Sequence, residues 1–438
     1  MLSSELIKDI IKTNEEFILN EITGIVPRKE IIESAKVVSD NLKKVNILHG
    51  VRRSGKTFIL YDIFQNNKES SLYIDFEDER LRDLELDDLE LIKESFFELK
   101  PHLIDKKKVF FLLDEVQNID GWERFARRIA EREGVTIYAA GSSSKITPRN
   151  IHTSLRGRAW GIEVFPFSFS EYLQIKGLDL ESSIYGKNKV LIKKALSDYL
   201  TWGGFPEVSL VDSGFKKKKI IEEYLDAMYF KDLVEKYEIS NIPLLETLKE
   251  NIFSSFSSKF SLTAFEKKYK GRFPFSKDSL YSYYNYFIES MLVFETRLFT
   301  SSAYKRRRNP PKIYLVDTGL ARKVGTIDSG RLLENAVFLE LKRRGQEVHY
   351  GDPNGECDFL VKDPNKEIKA VQTTWELGES NKDREINGIV KTCEALALKE
   401  AEIITFTQEA SYNINDIKIK VIPFYKWLLQ TQQTLVTQ

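Results

Sequence analysis

Gly50-Val51-Arg52-Arg53-Ser54-Gly55-Lys56-Thr57 lies between two apolar runs, Val45-Asn46-Ile47-Leu48 before it and Phe58-Ile59-Leu60-Tyr61-Asp62-Ile63-Phe64 after it. A strand, a loop bounded by glycines and a helix opening on Lys-Thr make a phosphate-binding loop. The chemistry dictates the residue types. Glycines let successive backbone N–H groups turn inward around an anion. The Lys56 ammonium can reach the outer phosphates of a nucleoside triphosphate, and the Thr57 hydroxyl can hold Mg²⁺. The helix behind the loop points its positive dipole end at the same place. The expected nucleotide contacts are Gly50, Arg52, Arg53, Ser54, Gly55, Lys56, Thr57 and Phe58.

A second signal follows downstream. Val109-Phe110-Phe111-Leu112-Leu113 is apolar throughout, as in a strand buried on both faces, and it ends in Asp114-Glu115. Asp114 is placed to bind the Mg²⁺ water shell. Glu115, one residue on, can polarise an attacking water, so it is the expected catalytic base.

Composition bounds the rest. The 438 residues suffice for two to four domains, and 42% hydrophobic with 30% charged residues is ordinary globular composition. Formal net charge is zero, so attraction to nucleic acid or membrane must come from local patches. Two cysteines, Cys357 and Cys393, do not make a disulfide framework or a zinc motif. No apolar stretch reaches membrane-spanning length, and Met1-Leu2-Ser3-Ser4-Glu5 has no signal-peptide character. A cytoplasmic location without membrane contact is expected.

Strand patterns at Ser71–Phe76, Val135–Ser144 and Gly161–Phe165 alternate with helical segments, which predicts a parallel sheet with helices on both faces. The region 166–240 is helical, broken at Gly203-Gly204-Phe205-Pro206. Between 241 and 320, a short helix opens at Leu262 and Ser276 caps the next. Leu280, Tyr284, Phe287 and Met291 form that helix's buried stripe, with Tyr281 and Tyr283 off it. Strands Leu292–Leu298 and Lys312–Asp317 would then flank a basic hairpin tip, Lys305-Arg306-Arg307-Arg308. That layout predicts a winged helix with Lys305 to Arg308 as DNA-contact candidates. Beyond 320, an α-β-β-β-α-β-β order predicts a separate mixed α/β domain. The expected division is 1–165 (P-loop core), 166–240 (helical lid), 241–320 (winged helix) and 321–438 (C-terminal domain).

Several motifs in one order resemble prokaryotic ATPases of the AAA-type superfamily. They are Asp114-Glu115-Val116-Gln117-Asn118-Ile119-Asp120-Gly121-Trp122, Gly141-Ser142-Ser143-Ser144, Pro166-Phe167-Ser168-Phe169-Ser170-Glu171-Tyr172, Gly203-Gly204-Phe205-Pro206-Glu207 and Ile313-Tyr314-Leu315-Val316-Asp317-Thr318-Gly319-Leu320. The resemblance implies an ATP- and Mg²⁺-dependent hydrolase. It implies a γ-phosphate sensor at Ser142 or Ser143, and an arginine finger at Arg156 or Arg158, acting in cis or from a neighbouring subunit of a homo-oligomer. It also implies a C-terminal domain similar to restriction endonucleases. Such sites need a helix Glu, a strand Asp and a Glu-x-Lys. Here Glu334 and Asp358 (in Glu356-Cys357-Asp358) supply the first two, but Gln372 and Thr374 replace the last pair. The literal Glu367-Ile368-Lys369 falls on the opposite face of a regular strand from Gln372. A degenerate nuclease site is expected. The competing readings are an ATP-switched DNA-binding module, an ATP-gated nuclease, and a signalling ATPase with a protein partner.

Overall fold

The computed structural model describes residues 3–29, 31–33, 42–82, 84–104, 108–141, 146, 155, 157–178, 187–324, 328–351, 357–363 and 366–435. Two compact units divide the chain, Met1–Phe165 and Pro166–Gln438.

In the first unit, helix α1 (Ser4–Asn20) precedes strand β1 (Val45–His49), the loop, and helix α2 (Lys56–Asn66). Strand β2 (Ser71–Asp75), helix α3 (Asp88–Leu99), strand β3 (Phe110–Asp114), helix α4 (Trp122–Arg128) and strands β4 (Thr136–Gly141) and β5 (Ala159–Glu163) follow. The five strands pair in the order β2-β3-β4-β1-β5, all parallel. Alternate side chains of each strand face opposite layers. Ile47, Phe111 and Ile137 pack with Ile7 and Ile10 of α1 and Phe96 of α3. Leu48, Leu112 and Tyr138 pack with Ile59, Leu60 and Phe64 of α2. Burial on both faces is what an apolar run without alternation requires. Because β1 lies between β4 and β5, the carboxyl ends of three strands converge on the loop, where ligands of open parallel sheets bind.

The second unit begins with helices α5 (Phe169–Ile175), α6 (Lys187–Trp202), α7 (Pro206–Leu210), α8 (Gly214–Ala227) and α9 (Ile242–Ser254). Next come β6 (Ser258–Lys259), α10 (Leu262–Tyr269), α11 (Lys277–Glu289), β7 (Val293–Leu298), α12 (Ala303–Arg308), β8 (Lys312–Leu315) and α13 (Ser329–Arg343). The chain ends with β9 (Glu347–Gly351), β10 (Cys357–Lys362), β11 (Ile368–Thr373), α14 (Lys382–Leu396), β12 (Glu400–Thr405), β13 (Ala410–Ile414), β14 (Ile417–Pro423) and α15 (Phe424–Leu435).

Three sequence motifs interlock here. The Asp317 carboxylate accepts from Gly204 N at 2.7 Å and from Gly319 N at 2.8 Å, and Thr318 Oγ1 donates to Tyr199 O. Gly203 has φ +78°, and any side chain there would collide with Asp317. Phe167 N donates to Gly204 O, and Tyr199 OH donates to Phe167 O. The lid motifs and the Asp-Thr-Gly-Leu motif thus form one buried knot.

Several expectations need correction. The 241–320 and 321–438 segments share one mixed sheet of nine strands among the described residues, since β7 runs parallel to β9. Strands β7 and β8 are antiparallel as expected, but Lys305 to Arg308 are not a hairpin tip. They form the short helix α12, whose first turn is capped by the Ser302 hydroxyl. Lysine and arginine favour helix, and the cap gives them a start. Tyr283 is buried with the stripe of α11, and its hydroxyl accepts from Asn241 N. Helix α11 stops at Glu289, before Met291, which has φ +61°. Strand β13 and helix α15 went unforeseen.

Candidate functional site

Gly50 leaves β1 where the backbone of Val164 passes so closely that any Cβ would strike its carbonyl. Gly55 caps α2 with φ +96°, a conformation glycine adopts without strain. Lys56 is buried, and its ammonium donates to the carbonyls of Gly50 (3.0 Å) and Val51 (2.9 Å), drawing the loop around itself. Ser54 is fully buried, Arg52 and Thr57 half-buried, and Arg53 and Phe58 exposed. Arg28, in the segment before β1, donates to Ser54 O and Phe165 O and braces the loop from behind.

Asp114 ends β3 and is 2% exposed. Burial first, and then the Glu115 charge, push its pKa up to about 7, although a hydrogen bond from Thr57 works the other way. Tyr73 OH donates to its Oδ2 at 3.3 Å. A carboxylate this buried, facing a threonine hydroxyl, is a hard-oxygen pair suited to a divalent cation, whose charge would offset the burial. Thr57 and Asp114 therefore fit Mg²⁺.

Glu115 has φ +49° and ψ +40°, left-handed backbone that costs a non-glycine residue energy. The Gln117 amide donates to Glu115 Oε2. Oε1 of Gln117 is buried with no partner among the described residues, and it lies against Gly141 at the end of β4. Sequence reasoning overlooked Gln117 as a site residue; its place two residues past Glu115 was the available signal. Asp75 was also missed. It pairs in register with Asp114, and burial followed by the Glu115 charge raises its pKa. His49, directly before the loop, is held neutral, its pKa lowered to about 4 by burial and by Lys56.

Ser142, Ser143 and Arg156 lie outside the described residues. Arg158 is described, and it is not at the phosphate loop. It sits at the amino end of β5, where its carbonyl accepts from Val45 N, and its guanidinium pairs with Glu131 at 2.9 Å. A parallel sheet puts that end opposite the loop, so a finger acting in cis from Arg158 is excluded.

The nuclease-like residues do converge, around a residue not anticipated. Lys312 Nζ lies 2.6 Å from Glu334 Oε1 and 2.8 Å from Asp358 Oδ1. Tyr314 OH donates to Glu334 Oε1, and Thr373 donates to Asp358 Oδ2 through both N and Oγ1. Gln372 Oε1 accepts from Asp358 N while its amide donates to Glu385. Burial disfavours charge on Lys312, yet Asp358 and Glu334 outweigh it and raise the pKa. Burial and Asp358 push Glu334 up to about 7. The ammonium thus takes the place a cation would need between the two acids. Lys369 is exposed and Gln372 buried, the opposite facing that strand parity required, and Glu356 is outside the described residues. Lys305 to Arg308 are exposed; Arg306 donates to Thr300 O and Arg308 to Tyr304 OH. Among the described residues no helix is long and apolar enough to cross a membrane.

Residues 42–173 match the model of an AAA domain, and 193–331 match a domain of unknown function. An uncharacterized protein of Methanocaldococcus jannaschii, MJ1544, is 34% identical over 92% of this chain and 94% of its own length. An uncharacterized protein of Haemophilus influenzae is 28% identical over 88% of this chain and 94% of its own length. Among solved structures, the Walker-type ATPase PABY2304 of Pyrococcus abyssi aligns with a TM-score of 0.47 and 15% identity, covering 69% of this chain and 96% of that one.

Proposed function

We propose a function from one premise: this chain belongs to the family of the M. jannaschii protein MJ1544, and it carries an AAA domain. It is read as a Mg²⁺-dependent ATP hydrolase that couples nucleotide binding and turnover to DNA binding. The observation that carries the reading is the meeting of Thr57 and Asp114 beside Lys56, with Glu115 set on a strained turn one residue on.

In this reading the loop amides and Lys56 bind the phosphates, and Thr57 and Asp114 would hold Mg²⁺, which supplies charge stabilisation at the transferred phosphoryl. Glu115 orients and deprotonates the attacking water, and Gln117 fixes the direction of its carboxylate. Arg158 is left the role of a finger supplied by a neighbouring copy, which makes a homo-oligomer part of the proposal. The 241–320 segment is read as a winged-helix-like DNA module, with Lys305 to Arg308 as phosphate contacts. The C-terminal domain is read as endonuclease-like and inactive, because Lys312 occupies the position between Glu334 and Asp358.

The test is steady-state hydrolysis of Mg-ATP with and without DNA. Stimulation by DNA that disappears in Lys56→Ala supports the coupled reading. Hydrolysis indifferent to DNA, and unaltered DNA affinity when Arg306 and Arg307 become Gln, would remove the DNA half and favour a protein partner.

A further inference from the structure

The turn between α10 and α11 carries chemistry that the duplex-binding layout does not use. Gly271, with φ +90°, tightens the chain, and Lys270 bridges to Phe273 across the turn. The segment then runs through Phe273-Pro274-Phe275 into the Ser276 cap of α11. This shape borders an open surface pocket of about 420 Å³. Phe273 and Phe275 line it, with ring centroids 5.5 Å apart. Behind them the aromatic chain continues, Phe273 to Tyr269 at 6.1 Å and Tyr269 to Phe265 at 4.6 Å. Lys270, Arg272 and Lys277 also line the pocket and are exposed. Glu266 is the one acid among the lining residues, while exposed Lys267 and Lys268 add charge alongside.

An aromatic floor ringed by cations suits a flat, neutral group attached to a polyanion. That is a nucleobase on its phosphate backbone. A base within a duplex is already stacked and has no face to offer, so the occupant must be unpaired. We propose that this pocket binds an unpaired nucleotide of single-stranded nucleic acid, stacking the base on Phe273 and Phe275 while Lys270, Arg272 and Lys277 take the flanking phosphates. The inference rests on the nucleic-acid half of the proposed function and adds the 270–277 turn as a second contact beside the 305–308 helix.

The experiment is fluorescence anisotropy with the full chain, using labelled oligothymidylate and a duplex of equal length. The single strand should bind more tightly. Phe273→Ala should weaken it roughly 5- to 100-fold, the worth of one stacked base, while Phe273→Trp should preserve binding. Lys270→Gln with Arg272→Gln should flatten the salt dependence by about 0.7 in slope per cation removed. If Phe273→Ala alters folding, that charge pair decides the matter on its own. A preference for duplex, an unchanged salt slope, or equal displacement by polyglutamate would overturn this inference and leave DNA coupling standing. Failure of both nucleic acids to bind would overturn the coupling as well.

Discussion

Each unit of this molecule contains a lysine beside buried carboxyl groups, and the two sites treat their charges in opposite ways. At the phosphate loop, Lys56 donates to backbone carbonyls, and Asp114 is bonded by the neutral Tyr73 and Thr57 hydroxyls. Burial, and then the Glu115 charge, hold its carboxyl near pKa 7 in spite of the Thr57 bond, and an incoming cation would offset both. In the C-terminal sheet, Lys312 pairs directly with Glu334 and Asp358, and Thr373, Tyr314 and Gln372 take up further polar positions. The first arrangement invites a metal ion, and the second supplies its own cation. The lesson is that burial of acids alone does not make a metal site. What matters is whether the protein has already balanced their charge.

The comparison breaks first at Lys56. Lys56→Ala should reduce ATP turnover to background, because Lys56 is the buried ammonium held inside the loop at the start of α2; nucleotide-binding and hydrolysis assays check this together. Lys312→Met should be the largest stability change, costing about 3–5 kcal/mol, since it leaves buried Glu334 and half-buried Asp358 without their shared cation. Denaturant melts would show it. Replacing Lys312, Glu334 and Asp358 together by apolar residues should recover much of the loss, and if it does not, the triad is more than a balanced charge cluster.

Asp114 sharpens the comparison through pH. Its folded pKa, about 7, is above the ordinary 3.8, so between those values the folded chain holds a proton the unfolded chain lacks. Stability contributed by that proton is present at low pH and is lost as pH rises towards 7. Asp114→Asn should therefore raise the melting temperature at pH 8 by about 2–8 °C while abolishing turnover, with a smaller gain at pH 5 and little at pH 4. The smallest effect is expected at Gln117. Gln117→Leu should lower kcat roughly 10-fold with little change in KM, because it misdirects Glu115 without touching the phosphates.

Much of the first site was legible because its parts are local. Gly50 through Thr57 are contiguous, and Asp114 and Glu115 close an apolar run whose burial is dictated by its lack of alternation. Gln117 and Asp75 were harder, since their roles depend on a turn and on the pairing of β2 with β3. In the second unit, strand parity correctly separated Lys369 from Gln372. Lys312 was not legible, because its partners come from a helix and a strand that only tertiary folding brings beside it. The β13–β14 hairpin could have been read from Asn415-Asp416, which take φ +51° and +61° between alternating residues. Helix α12 replaces the expected hairpin tip because lysine and arginine favour helix once the Ser302 hydroxyl caps the first turn.

The most direct measurement is Mg-ATP hydrolysis and nucleotide binding in Glu115→Gln beside the unaltered chain. The account predicts that the variant binds ATP as tightly as the unaltered chain and loses turnover by about 100-fold or more. Turnover that persists in Glu115→Gln, or loss of binding with it, would contradict the assignment of Glu115 as the base and of this loop as a hydrolytic site.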